Sequence, residues 1–304
     1  MDRYDEFLSE LKQKIDSEWI FLEEPMKKHT TFRTGGPADV LVTPDTEHVA
    51  LVIDSCKKYK LPYYIIGNGS NLLVGDKGIR GVVIAMTNRA GEIFCDGDVI
   101  TAGAGCTLTQ IAILAAGNGL AGFEFAAGIP GTLGGAVVMN AGAYGGEMKD
   151  VIVSAVVLDE EGNKKTLTVE ELELSYRHSC IPEKKYVVLR VTLKLHRGDI
   201  SEIRKKMAEL REQRITKQPL EYPSAGSTFK RPQGYFAGKL IMEAGFRGYQ
   251  VGDAQVSEKH CGFVINKGEA KAADIIQLME DVSSKVEEQF GIKLEPEVKM
   301  MGEF

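Results

Sequence analysis

The sequence predicts an α+β fold in two domains, on three observations. Strand-period runs alternate with helix-period stripes along the chain. The 304 residues suffice for two domains. At His196-Arg197-Gly198-Asp199 the character of the chain changes, and a helical stripe follows a clean half-buried strand, so a boundary is expected near residue 198.

In chain order, Phe7, Leu8, Leu11 and Ile15 form one apolar stripe among charges, which predicts an amphipathic lead-in helix over 4–16. His29-Thr30-Thr31-Phe32-Arg33-Thr34-Gly35-Gly36-Pro37 turns into a strand carrying Val40 and Val42. Residues 47–60 read as a helix and 63–66 as a strand. That strand runs into Gly67-Asn68-Gly69-Ser70-Asn71-Leu72-Leu73, where Gly, Asn and Ser suit either a phosphate-cradling turn or a plain tight turn. The G-x-G-x-x-G dinucleotide fingerprint fails there at Leu72, and after Gly103-Ala104-Gly105 at Leu108, so no Rossmann domain is expected. Residues 82–86 and 99–102 read as strands. Thr107-Leu108-Thr109-Gln110 is a capping box opening a helix that ends near Gly117.

The run from Gly128 to Gly146 holds seven glycines in nineteen residues, and no charged side chain occurs from Phe125 to Gly146. Glycine costs conformational entropy in ordered backbone, so this density implies close approach of the backbone to something bulky, with N–H groups aimed at an anion. A membrane span and a ligand-free packing segment are the competing readings. Gly, Ala, Pro, Thr and Asn dilute the large hydrophobes below what a span requires.

Further on, 151–158 and 165–169 read as a strand and its return around a Gly162-Asn163 turn. Tyr176-Arg177-His178-Ser179 is a polar loop, and Leu189, Val191, Leu193 and Leu195 mark a strand. The helix after residue 198 carries Ile200, Ile203, Met207 and Leu210 and ends with Arg211, Arg214 and Lys217. These cations suit either the helix dipole or a diphosphate. Residues 221–232 read as a polar loop, 237–245 as a short helix and 261–266 as a strand. The stripe Ile275, Leu278, Met279, Val282, Val286 and Phe290 marks a strong helix closed by Gly291, and 294–300 an edge-like strand with Glu295 and Glu297.

A net charge of −6 and a pI near 5.6 argue against a nucleic-acid partner held by bulk electrostatics, and leave room for a small anion held by a local cluster. Five scattered cysteines with no C-x-x-C pair suggest reduced thiols. The N-terminal residues are too acidic for a signal peptide, so a cytoplasmic protein without membrane insertion is expected.

Together and in this order, the motifs resemble those of the UDP-N-acetylenolpyruvoylglucosamine reductase family, flavoenzymes that complete UDP-N-acetylmuramate for peptidoglycan. The resemblance spans nearly the whole chain. It rests on 29–36, 67–73, 128–131 through 140–145, Tyr176-Arg177-His178-Ser179, Ala225-Gly226-Ser227-Thr228-Phe229, Ala237-Gly238-Lys239-Leu240-Ile241 and Glu297-Val298. It implies a lead-in over 1–30, a two-part FAD-binding region of the vanillyl-alcohol-oxidase (PCMH) type over 31–197, and a C-terminal α/β substrate-binding domain over 198–304. It further implies non-covalent FAD, since neither His nor Cys is suitably placed in the 67–72 loop, with NADPH as electron source and no metal. The oligomeric state stays open and is compatible with a monomer.

By the same resemblance, FAD is held at Gly67, Asn68, Gly69, Ser70, Asn71, Leu72, Gly105, Gly128, Pro130, Gly131, Thr132, Gly134, Gly135, Ala136, Asn140, Gly142 and Ala143. Arg177, Ser227 and Glu297 are the implied catalytic residues, and Arg214, Lys217, Arg231 and Lys239 join them in binding the substrate, UDP-N-acetylenolpyruvoylglucosamine. The family has a longer form, with an insertion after the Tyr-Arg motif and a tyrosine that closes over substrate. The short stretch from Arg177 to the next strand places this chain with the shorter form. The alternative is an FAD-dependent alcohol or sugar oxidase of the same superfamily using O2. The Arg211, Arg214 and Lys217 set and Glu297 count against it, because an uncharged alcohol needs neither.

Overall fold

The computed structural model describes residues 3–304. The chain divides into two compact units. The first comprises the chain up to Phe21, Val40–Asn68 and Gly81–Gln213, and the second Leu22–Asp39, Gly69–Arg80 and Arg214–Phe304. These limits differ from the 1–30, 31–197 and 198–304 expected from sequence. The chain passes between units inside the strands Ile20–Pro25, Pro37–Val42 and Ile79–Ala85, in the loop between Asn68 and Gly69, and inside the helix Ile200–Lys217.

In the first unit, α1 (Arg3–Leu11) buries Phe7 and Leu11 and stops short of the expected residue 16. α2 (Val49–Lys58) leads to the strand Tyr63–Ile66, which pairs parallel with Ile79–Ala85 in the register Tyr63↔Val82 to Ile66↔Ala85. Val82, Val83 and Ile84 are fully buried, as a parallel strand covered on both faces requires. An antiparallel sheet follows in the order Lys164–Thr168, Ile152–Leu158, Val187–Lys194, Val99–Gly103, Ile93–Asp96. α3 (Leu108–Gly117) begins at the expected capping box: Thr107 Oγ1 accepts from Gln110 N at 3.2 Å, and Gln110 Oε1 accepts from Thr107 N at 2.9 Å. The glycine-rich run contains the short α4 (Leu133–Val138) and the strand Gly142–Ala143, which pairs with Gly146–Glu147. Among the described residues no helix is long and apolar enough to cross a membrane.

α5 (Ile200–Lys217) ends in the second unit. There an antiparallel sheet runs in the order Ser224–Ser227, Phe263–Asn266, Ala254–Val256, Gln250–Val251. α6 (Ala237–Glu243) and α7 (Ala272–Phe290) complete the unit. α7 buries Ile275, Leu278, Met279, Val282 and Val286, an i, i+3, i+4 stripe. Asp76 caps it from far away in sequence, accepting from Ala272 N at 2.8 Å and Ala273 N at 3.0 Å.

Long-range pairing of this kind recruits 22–39 and 69–80 to the second unit. Asn266 Nδ2 donates to Phe32 O at 3.1 Å, and Lys299–Met301 pairs parallel with Leu72–Val74. Phe32 and Leu73 join the core of α6 and α7. The expected terminal strand is thus confined to Lys299–Met301, and Glu297 precedes it.

Candidate active site

In the first unit the two glycine segments meet. Gly67, at the end of its strand, lies so close to residue 132 that a Cβ there would be 2.2 Å from Thr132 Oγ1. The next residue, Asn68, donates from Nδ2 to Pro130 O at 2.6 Å. Thr132 is 2% exposed and its hydroxyl has no hydrogen-bond partner. Asn68, Gly128, Pro130 and Gly135 are exposed around it. A Cβ at Gly135 would lie 3.6 Å from the same hydroxyl. A buried unpaired hydroxyl beside bare backbone fits a ligand oxygen or N–H, so these residues fit an FAD held by backbone.

Other glycines of the expected cofactor set have a different cause. The N–H groups of Leu133 and Gly134 already donate to Cys106 O at 2.8 Å and Ala104 O at 2.9 Å, so these two donors of α4 are committed to the protein. A Cβ at Gly105 would lie 1.9 Å from Thr87 O, at Gly134 2.9 Å from Ala104 Cβ, and at Gly142 2.8 Å from Gly146 O. At these positions the missing side chain brings protein backbones together. Ala136 is buried, and Ala143 sits in a two-residue ladder with Gly146.

The side chain of Asn140 is also committed to the protein. Nδ2 donates to Glu147 Oε2 at 2.7 Å and to Ser175 O at 3.1 Å, and Oδ1 accepts from Lys149 N at 2.9 Å. Ser175 opens the turn carrying Arg177: Ser175 N donates to His178 O at 3.2 Å and His178 N to Ser175 O at 3.1 Å. Arg177 is half-buried at φ +55°, an unfavourable backbone conformation for a residue with a Cβ. Its guanidinium lies 5.1 Å from the Tyr176 ring centroid.

The second unit gathers the other two expected catalytic residues. Residues 221–232 are not all loop, because Ser224–Ser227 pairs with Phe263–Asn266. The register shifts between Ser224↔Ile265 and Ser227↔Phe263, so three steps on one strand face two on its partner. Gly226 occupies that bulge at φ +75°. Bulges re-aim side chains, and this one sets the half-buried Ser227. The following residue, Thr228, is tied down through Oγ1, which accepts from Val264 N at 2.9 Å, and its carbonyl accepts from Glu297 N at 2.8 Å. Asn71 Nδ2 donates to Glu297 O at 3.0 Å. Asn71, expected at the cofactor, therefore also holds the Glu297 backbone, while Gly69 packs so tightly that a Cβ would lie 2.0 Å from His29 O. Ser70 and Leu72 flank Asn71, both half-buried.

Glu297 is 9% exposed, whereas Glu295 is largely exposed and pairs with Lys230 at 3.2 Å. Burial thus separates the two terminal carboxylates. The expected substrate cations sit on three elements. Arg214 donates from Nε to Gln218 Oε1 at 3.0 Å, and Lys217 lies exposed in the last turn of α5. Arg231 stacks 4.0 Å from the Phe236 centroid and donates to Tyr235 O at 3.3 Å. Lys239 on α6 lies 3.7 Å from Glu243. Sequence reading missed His260. It accepts from Gly262 N through Nδ1 at 3.1 Å, and burial pushes its pKa down from the ordinary value of 6.5.

Comparison with known proteins identifies both halves. Residues 37–168 match the family described as FAD binding domain, and 218–301 match the C-terminal domain of UDP-N-acetylenolpyruvoylglucosamine reductase. The chain is 58% identical to the UDP-N-acetylenolpyruvoylglucosamine reductase of Agathobacter rectalis, over 98% of this chain and 99% of that one. The enzyme of that name from Lachnoclostridium phytofermentans is 56% identical, with 97% of each covered. The crystal structure of UDP-N-acetylenolpyruvylglucosamine reductase from Thermus caldophilus superposes with a TM-score of 0.79 at 37% identity, covering 93% of this chain and 98% of that one.

Proposed function

Because the chain belongs to the UDP-N-acetylenolpyruvoylglucosamine reductase family, we propose that it reduces the enolpyruvyl group of UDP-N-acetylenolpyruvoylglucosamine to give UDP-N-acetylmuramate, with electrons from NADPH passed through non-covalent FAD. The chain is an oxidoreductase of peptidoglycan precursor synthesis with an FAD-binding domain, and the cytoplasm is its place of work. Functionally, 31–197 carry the cofactor and 198–304 the substrate, although the compact units are cut elsewhere.

Gly67, Asn68, Pro130 and Thr132 hold FAD through backbone and the unpaired Thr132 hydroxyl. When bound, FAD supplies the hydride that reaches the terminal carbon of the substrate double bond. The chain must then stabilise charge arriving on the conjugated carboxylate and deliver a proton to the second carbon. Arg177, a permanent cation with a planar fork, takes the carboxylate. Glu297 serves the same charge as a neutral carboxyl that donates a hydrogen bond. An electrostatic donor of this kind lowers the barrier by about 3–4 kcal/mol. Ser227 gives the proton. A serine hydroxyl is a weak acid, so it acts only when held in attack position. Arg214 and Lys217 grip the diphosphate, with Arg231 and Lys239 completing the cationic set.

The observation that carries this reading is the Gly226 bulge, which fixes the Ser227 backbone while Glu297 N is bonded to the next residue at 2.8 Å. An anaerobic titration tests it. NADPH is expected to bleach the flavin band and the enolpyruvyl substrate to restore it. Reoxidation by O2 with peroxide release, and none by the substrate, would refute the reading in favour of an oxidase.

A further inference from the structure

We propose that Asn140 is a positioning residue for Arg177, its carboxamide fixing the turn that presents the guanidinium. The inference rests on the role given to Arg177 above. Asn140 is 1% exposed and adopts φ +39°, which Asn tolerates better than most residues. Its amide has one workable orientation. The Glu147 carboxylate oxygen only accepts, so it selects Nδ2, and Lys149 N–H only donates, so it selects Oδ1. With both ends fixed, the second Nδ2 proton is directed at Ser175 O.

The other foot of the turn is tied as well. Ser179, 2% exposed, donates from Oγ to Val138 O at 2.8 Å. Residues 175 and 179 are thus clamped to 138–140, directly after α4, whose N-cap is Thr132 of the cofactor cradle. The two backbone bonds between Ser175 and His178 close the turn without setting where it sits. The two side-chain tethers set that, and they hold Arg177 in its unfavourable φ at a fixed offset from the cradle.

Asn140→Asp tests this. It keeps the left-handed backbone and the side-chain shape but replaces the donor with an acceptor facing Ser175 O and Glu147. A displacement of about 1 Å at a catalytic group costs on the order of 100-fold, so reoxidation of reduced flavin by substrate is expected to slow about 30-fold or more, with FAD content full. In an Arg177→Ala background the same substitution is expected to cost less than about threefold, because no guanidinium remains to be placed. Ser179→Ala is expected to show the same dependence on Arg177.

Equal losses in both backgrounds, or no loss with Arg177 present, would overturn the positioning role. Loss of FAD from both Asn140→Asp and Ser179→Ala would overturn it too, because the pair would then hold the fold rather than the turn. If Arg177→Ala alone left reoxidation unchanged, the role of Arg177 itself would fall, and the inference with it.

Discussion

Replacing Thr132 with Val separates folding from cofactor binding by the sign of the effect. Thr132 Oγ1 is buried without a partner, and a hydroxyl in that state costs about 1–3 kcal/mol. Valine keeps the β-branch and so the side-chain shape. The facing residue is Gly67, whose missing Cβ, which would otherwise lie 2.2 Å from Oγ1, is what admits a side chain here. The cofactor-free variant is therefore expected to be more stable by about 1 kcal/mol, a rise in Tm of roughly 2–4 °C. With FAD the hydroxyl gains a partner, and its loss should weaken binding by about 1–3 kcal/mol, or roughly 5- to 150-fold in Kd. Thermal unfolding of the stripped protein gives the first number and a flavin fluorescence titration the second. A lower Tm for the stripped variant, or an unchanged Kd for FAD, would refute the assignment of this hydroxyl to the cofactor.

Three further outcomes follow from the second unit. Ser227→Ala should leave flavin reduction by NADPH intact and slow reoxidation by substrate about 100-fold or more, as read by stopped-flow absorbance; a normal reoxidation rate would remove Ser227 from the proton step. Gly226→Ala meets no atom within 4 Å of the new Cβ, so its cost is that of φ +75° alone, about 1–2 kcal/mol; kcat should fall by more than the lowered urea midpoint explains, because the bulge aims Ser227. His260 is held neutral by burial, with its pKa below 6.5, so the unfolded chain takes up the proton first on acidification. Its stability contribution is full above about pH 6.5 and is lost as pH falls from there towards the folded pKa; His260→Gln should flatten that part of the stability–pH curve, and an unchanged slope would count against the buried neutral form.

The parts of the fold legible in the sequence were those set by local chemistry. Thr107 and Gln110 announce the start of α3 because a capping box needs only four consecutive residues. The stripe of α7 and the closing Gly291, at φ +67°, are equally local. Ser224–Ser227 was not legible as a strand, because Ser-Ala-Gly-Ser has little intrinsic strand preference; pairing with the buried run Phe263–Asn266 makes it one. Nor was the recruitment of 22–39 and 69–80 to the C-terminal part, which depends on contacts such as Asp76 with α7 across nearly two hundred residues. For the site, the resemblance named Arg177, Ser227 and Glu297. The same resemblance set Glu297 apart from Glu295 by the valine that follows it, and the structure adds the physical difference, burial of one and ion pairing of the other.

Glycine density between 128 and 146 has separate causes: Gly145 supplies a turn at φ +88°, and the others divide by what a Cβ would meet. Where a Cβ would meet protein atoms, as at Gly134, Gly142 and Gly146, the glycine allows strand, helix and aromatic ring to approach closely. Where it would meet almost nothing, as at Gly135, the backbone is left bare beside the unpaired Thr132 hydroxyl. The part proposed to face the cofactor is narrow, centred on 128–132 and 135, and the packing glycines serve as its mount. That mount continues without a break into Val138 and Asn140, to which the Arg177 turn is tied. A close-packed segment transmits position because it has no slack, so one uncharged stretch can seat a cofactor at one end and locate a cation at the other.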